Sequence, residues 1–183
     1  QQKYPELSFH LEAAPNQKIL NDVHNGSTDL GIVTHVPSSS FYQSEIISEE
    51  PLCLVVPTRY KNEKITAELM FSCGLIDHPD AMHYLSLYFD LCGEKELASI
   101  NIEKLPKSGY INQLNQILLP VAKGLGFTVL PQSAVENFTD KESIYIARTT
   151  KQVKETLYLV QKRNRHLPRR YQTVRELLVD IFS

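Results

Sequence analysis

Residues 10–33 read HLEAAPNQKILNDVHNGSTDLGIV, and the order of signals in this stretch decides the fold. A run from Leu7 to Ala13 alternates apolar and polar side chains, which reads as a strand. Pro15 and Asn16 break it. Ile19, Leu20 and Val23 then recur at helical spacing, and Gly26 supplies the left-handed terminator that closes that helix. "DLGIV", residues 29–33, is short and nearly all apolar, the mark of a strand covered on both faces. Strand, helix and strand within two dozen positions make a βαβ unit, which calls for a parallel sheet and a right-handed crossover.

The rhythm recurs downstream. "SEIISEE" and "LCLVVP" read as two antiparallel strands, and "RYKNEKITAELMF" as a polar loop with a short helix. "CGLIDH" is the next strand, and Pro79 suits the first turn of a helix over Ala81–Leu91 that Gly93 closes. "SINIEKLP" reads as a strand. Ile111, Leu114, Ile117, Leu118, Val121 and Leu125 share one helical face, and Gly124 and Gly126 end that helix and lead into the strand "FTVLP". A brief helix near "QSAVENF", strands at "SIYIART" and "ETLYLVQK", and a final helix carrying Tyr171, Val174, Leu177, Leu178 and Ile181 on one face complete the chain. The expected fold is α/β with mostly parallel sheets in two lobes. Residues 1–56 form the first lobe and 57–153 the second, while 154–183 return as a strand and a helix that pack on the first. "LCLVVP" and "ETLYLVQK" act as crossing strands between the lobes, which leaves a cleft.

Composition narrows the function. With 42% hydrophobic and 22% charged residues the chain is an ordinary globular protein, and no apolar run approaches the ~18 residues of a membrane span. Cys53, Cys73 and Cys92 are odd in number and lack C-x-x-C spacing, which argues against a disulfide framework and a structural zinc site and fits a reducing cytoplasm. Cys53 and Cys73 lie in or beside apolar runs typical of inert buried thiols. The start, "QQKYPELSF", has no basic region followed by an apolar stretch, so no signal peptide is read there. Residues 151–183 carry eight Lys/Arg against three Asp/Glu, but these charges flank a strand and precede a helix, where solvated loops carry charge, so nucleic-acid contact by this segment is the weaker reading. No assembled nucleophile, base and oxyanion donor set can be named, so no enzyme and no cofactor are expected.

Taken together, "YPELSFHLEA", the spacing into "NGSTDLGIV", "PLCLVVP", "LLPVAKGLGFTVLP" and the closing apolar helix resemble the effector-binding domain of LysR-type transcriptional regulators. The resemblance covers nearly the whole chain in order. It implies a two-lobe domain of the type II periplasmic-binding-protein kind with a small-molecule cleft. It also implies an N-terminal winged helix-turn-helix for DNA and the first strand and helix of the first lobe, both lacking from this sequence. Self-association follows from the same resemblance, as a dimer of this domain and a tetramer of the full-length regulator, with Ile19–Val23 or the last helix as the surface. A solute-binding protein of a transporter is the alternative with the same architecture.

Where a strand turns directly into a helix, the first N–H groups are unpaired and the positive end of the dipole lies behind them, so an anion or acceptor is favoured. Asn16 and Gln17 occupy the first such turn, Asn16 also serving as a cap. Thr34 and His35 follow "DLGIV" at the carboxyl end of a strand, where open α/β sheets bind ligands. Asp77 and His78 repeat the arrangement in the second lobe, where a metal reading with Asp80 and His83 fails because the two histidines, five apart, point to different helix sides. Ser108, Gly109 and Tyr110 make a third strand-to-helix turn, and Thr128 follows Gly126 in a strand. These ten residues are the expected effector contacts. Their convergence on one gap is the geometric expectation.

Overall fold

The computed structural model describes residue 5, residues 8–37 and residues 40–182. Its elements run α1 (Asn16–Asn25), β1 (Leu30–Val33), β2 (Tyr42–Pro57), α2 (Ala67–Cys73), β3 (Leu75–Asp77), α3 (Ala81–Leu91), α4 (Lys95–Ala98), β4 (Lys107–Tyr110), α5 (Leu118–Ala122), β5 (Thr128–Pro131), α6 (Gln132–Glu136), β6 (Ile144–Ile146), β7 (Lys154–Lys162) and α7 (Arg170–Phe182).

Helix α1 begins at Pro15, whose φ of −57° is fixed by its ring and whose carbonyl accepts from the N–H groups of Lys18 and Ile19 at 2.9 and 3.1 Å. It ends at Gly26, whose φ of +80° few other residues adopt. Leu20 and Val23 are completely buried against Val33, Tyr42 and Val160, each contributing about 1.5–3 kcal/mol of apolar burial. The helix lies close on β1 because position 31 is glycine. A Cβ there would meet Ile19 Cγ2 at 2.5 Å and Val23 Cγ2 at 3.2 Å.

The expected βαβ opening is corrected at its first member. Leu7 lies outside the described residues, and residues 8–13 hold no strand; Phe9 and Leu11 are exposed. A strand needs a neighbour to satisfy its backbone groups, and among the described residues β1 pairs with β7 alone. The parallel expectation also fails. β1–β7, β2–β7, β2–β5 and β2–β6 are all antiparallel, and among the described residues parallel pairing is confined to β3–β4 and a Leu75–Phe127 bridge. Only alternate residues of β1 are buried, so it is not covered on both faces.

"SEIISEE" and "LCLVVP" form one continuous strand, the 16-residue β2, with a register shift between Ile46 and Ser48. Its first half pairs with β7 as far as Pro51 opposite Lys154, and its second half with β5 and β6. β2 is thereby shared by two packed bodies. Around the first half, α1 covers one face, while Ile47, Leu157 and Leu159 pack with Leu178 of α7 on the other. Around the second half, Leu54 and Val56 face a cluster with α2 and α3, while Cys53 and Val55 face α5 and α6.

Two further expectations are corrected. The helix over 111–125 shrinks to a 3-10 turn at Leu114–Gln116 and α5, because Pro120 is tolerated in a first helical turn but not in the interior of a longer helix. The strand read at "SINIEKLP" is a 3-10 turn at Ile102–Lys104, and the strand itself, β4, comes directly after it.

All three cysteines are free and buried, and burial pushes their thiols up, Cys53 to about 11. The native protein is therefore expected to give no fast reaction with a thiol-specific chromogenic disulfide and full reaction in denaturant; rapid labelling of a native cysteine would contradict this.

Candidate functional site

The start of α1, the end of β1 and the start of α3 meet at one seam between the two bodies. Asn16 does not cap α1 with its side chain; Pro15 holds the cap position. Instead Asn16 Oδ1 accepts from the Thr34 N–H at 2.8 Å, and its Nδ2 donates to the His35 carbonyl at 3.2 Å, tying the helix start to the end of β1. The Asn16 backbone N–H, with the positive end of the helix dipole behind it, faces Oδ1 of Asp80 from the opposite body at 3.4 Å. The place read as open to an anion is thus approached by the protein's own carboxylate. Gln17 turns away, its amide on Asn21 at 3.1 Å.

Across the seam, the His35 and His83 rings are 6.2 Å apart, and His83 packs against Tyr84 at 5.8 Å. Burial, helped by the nearby His35, holds the His83 pKa below the ordinary imidazole value. Behind this pair His78 is 4% exposed, with Nε2 3.2 Å from the Val129 carbonyl. A carbonyl only accepts, so Nε2 carries the proton, and burial keeps the ring neutral by lowering its pKa. Asp77 is engaged on both oxygens, accepting from the His78 N–H at 2.9 Å and pairing with Lys107 Nζ at 2.7 Å.

The third turn is corrected. Ser108, Gly109 and Tyr110 lie within strand β4 rather than in a turn, and the next helical turn, a 3-10 turn, comes only at Leu114–Gln116. Ser108 stands near the first residue of β3 with its hydroxyl 3.5 Å from the Cys73 carbonyl, whereas Tyr110 is exposed beside Asp77 at the end of β3 nearest α3. Thr128 is fully buried on β5, its hydroxyl without a hydrogen-bond partner. Asn16, Thr34 and His35 are therefore brought together and face Asp80 and His83, with His78 close behind. Gln17, Ser108, Gly109 and Thr128 do not join them.

The sequence reading missed Glu155. It lies on β7 directly opposite Glu50 of β2, 2% exposed, with neither carboxyl oxygen hydrogen-bonded. Burial, reinforced by Glu50 and Asp80 and slightly opposed by Thr34, pushes its carboxyl up to about 8. Its signal was present in the sequence: Glu155 shares the alternation of Leu157 and Leu159, so an acid occupies a core-facing register.

Elsewhere a hollow of about 640 Å³ opens between the end of β7 and α7, lined by Arg163, Arg165, Arg169 and Arg175. Three of these are engaged: Arg163 with the Tyr42 carbonyl, Arg165 with Asp29, Arg175 with Glu45. The basic end thus staples α7 to the first body. Leu20 and Val23 of α1, expected on an association surface, face inward, whereas Ile181 of α7 is 74% exposed. Among the described residues no cluster of three or more His, Cys, Asp or Glu is placed to hold a metal ion, and no helix is long and apolar enough to cross a membrane.

The sequence and the fold are shared with known proteins. The family described as LysR substrate binding domain matches residues 1–183. The transcriptional dual regulator GltC of Bacillus subtilis (strain 168) is 23% identical over 186 residues, a match covering 100% of this chain and 60% of GltC, so the chain spans well under two thirds of that relative's length. The regulatory domain of CcmR from Synechocystis PCC6803 in complex with 2-PG shares the fold with a TM-score of 0.75 at 18% identity, covering 100% of this chain and 86% of that one. The effector binding domain of QuiR in complex with shikimate gives 0.69 at 16% identity, covering 92% and 78%. The shared architecture is the two-lobe, type II periplasmic-binding-protein-like fold, its lobes joined by the crossing strands β2 and β7. Matched end to end by the family and alike in fold, the chain belongs to the LysR substrate-binding domain family, the effector-binding part of LysR-type transcriptional regulators.

Proposed function

We infer that the chain senses a small polar metabolite at the seam between its lobes, with residues 1–56 and 154–183 on one side and 57–153 on the other. The observation that carries this reading is the contact of the Asn16 N–H, at the α1 terminus, with Asp80 of the opposite lobe. A ligand acceptor that replaces Asp80 there changes the contact between lobes. In the whole regulator this alters how subunits are set and hence how an N-terminal winged helix-turn-helix meets DNA. The reading includes no catalytic step, a cytoplasmic location, and a homodimer of this domain within a full-length tetramer. The relatives are regulators, which favours a sensor over a transporter's solute-binding protein.

Thermal unfolding against a broad metabolite collection tests it. A cognate effector at a hundred times its dissociation constant is expected to stabilise by about 2.7 kcal/mol without being consumed. Asn16→Ala, which unties α1 from Thr34 and His35, is expected to weaken that ligand about tenfold. A collection that produces no shift, or a shift indifferent to Asn16→Ala, overturns the assignment.

A further inference from the structure

Resting on the inter-lobe reading above, the inference concerns which chemistry the seam accepts. Glu155 is 2% exposed, and neither of its oxygens has a formed hydrogen bond, the Thr34 hydroxyl doing no more than ease its ionisation slightly against the burial and the two neighbouring acids. An unmet buried carboxyl is costly, and in a folded protein it calls for a partner. The groups around it supply none with positive charge. Glu50 stands directly across the ladder from it, its own Oε1 accepting from the Ser133 N–H at 2.9 Å. Asp80 and Tyr84 face it from α3, and Thr34 from the end of β1. Among the described residues no Lys or Arg forms an ion pair with Glu50, Asp80 or Glu155. Lys154, the chain neighbour of Glu155, is paired with Glu49 instead.

We propose that the effector carries a protonated amine, and that its ammonium group is received by the Glu155–Glu50 carboxyl pair where the crossing strands pass through the seam. An ammonium has three donors, no acceptor and a positive charge, which matches three carboxyl groups with no basic partner. It also relieves the repulsion between two acids paired directly across strands. The α1 terminus beside it, where the Asn16 N–H meets Asp80, then receives whatever acceptor the ligand carries next to its amine. Because Glu155 must ionise to bind a cation, affinity rises as pH is raised toward and past its titration, provided the amine itself stays protonated. Glu50, Asp80, His35, His83 and Tyr84 face the same space, and the depressed pKa of His83 keeps that imidazole from adding a competing positive charge over the range in which Glu155 titrates.

The test uses three matched sets of probes: ethanolamine, putrescine and cadaverine as amines without carboxylate; the common L-amino acids as zwitterions; and propionate, succinate and glutarate as acids without amine. Each is titrated calorimetrically into the full chain and into Glu155→Gln at about pH 6.5 and about pH 8.5. An amine-bearing probe is expected to bind more tightly at the higher pH, to exceed its amine-free counterpart by about tenfold or more, and to weaken about tenfold or more in Glu155→Gln. Binding of acids alone, weakened by Asn16→Ala, overturns the amine while leaving the inter-lobe sensor standing. An amine that binds equally to Glu155→Gln overturns the assignment to this carboxyl. Silence in all three sets counts against both readings. Glutamine keeps the shape of the side chain, and a melting curve for each variant confirms that it is folded.

Discussion

Glu155→Gln is expected to stabilise the protein by on the order of 5 kcal/mol at about pH 9, by about 1 kcal/mol at about pH 5 and hardly at all at about pH 4. In the unfolded chain this carboxyl releases its proton at about 4.3. In the native state it holds the proton until about 8, because burial and the neighbouring Glu50 and Asp80 disfavour its charge. Between these values the folded state binds one proton more than the unfolded state, so stability is full below the lower pKa and falls as pH rises through the upper one, by about 1.4 kcal/mol per unit. Glutamine does not titrate and removes that slope. His78 and His83 act in the opposite sense. Burial depresses both, so their contribution is present above about 6.5 and is lost as pH falls below it. The interval from about 6.5 to 8 therefore isolates the glutamate. Urea unfolding at several pH values reads the effect, and parallel stability profiles for the two proteins would defeat the explanation.

Gly31→Val is expected to cost about 3 kcal/mol, at the upper end of what overpacking does. A Cβ at this position already falls 2.5 Å from Ile19 Cγ2, and valine adds two methyl groups beyond it. Ile19 is β-branched and stiff, so it has little freedom to swing aside. The helix must move off β1, and Asn16 at its first turn moves with it. Gly31→Ala is expected to cost less, about 1 kcal/mol, and Ile19→Ala introduced beside it to recover much of the loss, since the two changes share one contact. Denaturant midpoints with an unchanged m-value are the measurement. A Gly31→Val protein as stable as the parent would mean that α1 does not depend on this close approach.

The parts of the fold that could be read from the sequence were those set by local chemistry. Helix α3 occupies Ala81–Leu91 because Pro79 and Gly93 punctuate it on both sides, and α1 ends at Gly26 for the same kind of reason. Strand direction was not local. "DLGIV" carries the apolar content of a parallel strand, yet its partner β7 is antiparallel, because the neighbour is chosen by a segment more than a hundred residues away, whereas "LCLVVP" is antiparallel as read. The strand expected at Leu7–Ala13 had suitable alternation but, over its described residues, no partner. The seam was half legible. Asn16 was placed by the Pro-Asn break, although its side chain ties β1 rather than capping α1. Asp80 stood in a crowd of ligand-like residues weighed only for metal, and its real neighbour, the Asn16 N–H, lies 64 residues away. Ser108 was read as part of a turn and lies in a strand because β3 offers a parallel edge to its neighbours Lys107 and Gly109, Ser108 itself falling at the register shift between them.

One feature of the architecture governs how such a molecule can move. β2 runs unbroken for 16 residues from one packed body into the other, with β7 paired along its first half. A loop hinge pivots about a few freely turning bonds; a hydrogen-bonded ribbon cannot. Rotation of one body on the other must be absorbed as extra coiling of two strands, spread over several residues and resisted throughout by the ladder between them. The molecule is consequently a torsion spring more than a door, with small angular travel and a restoring torque.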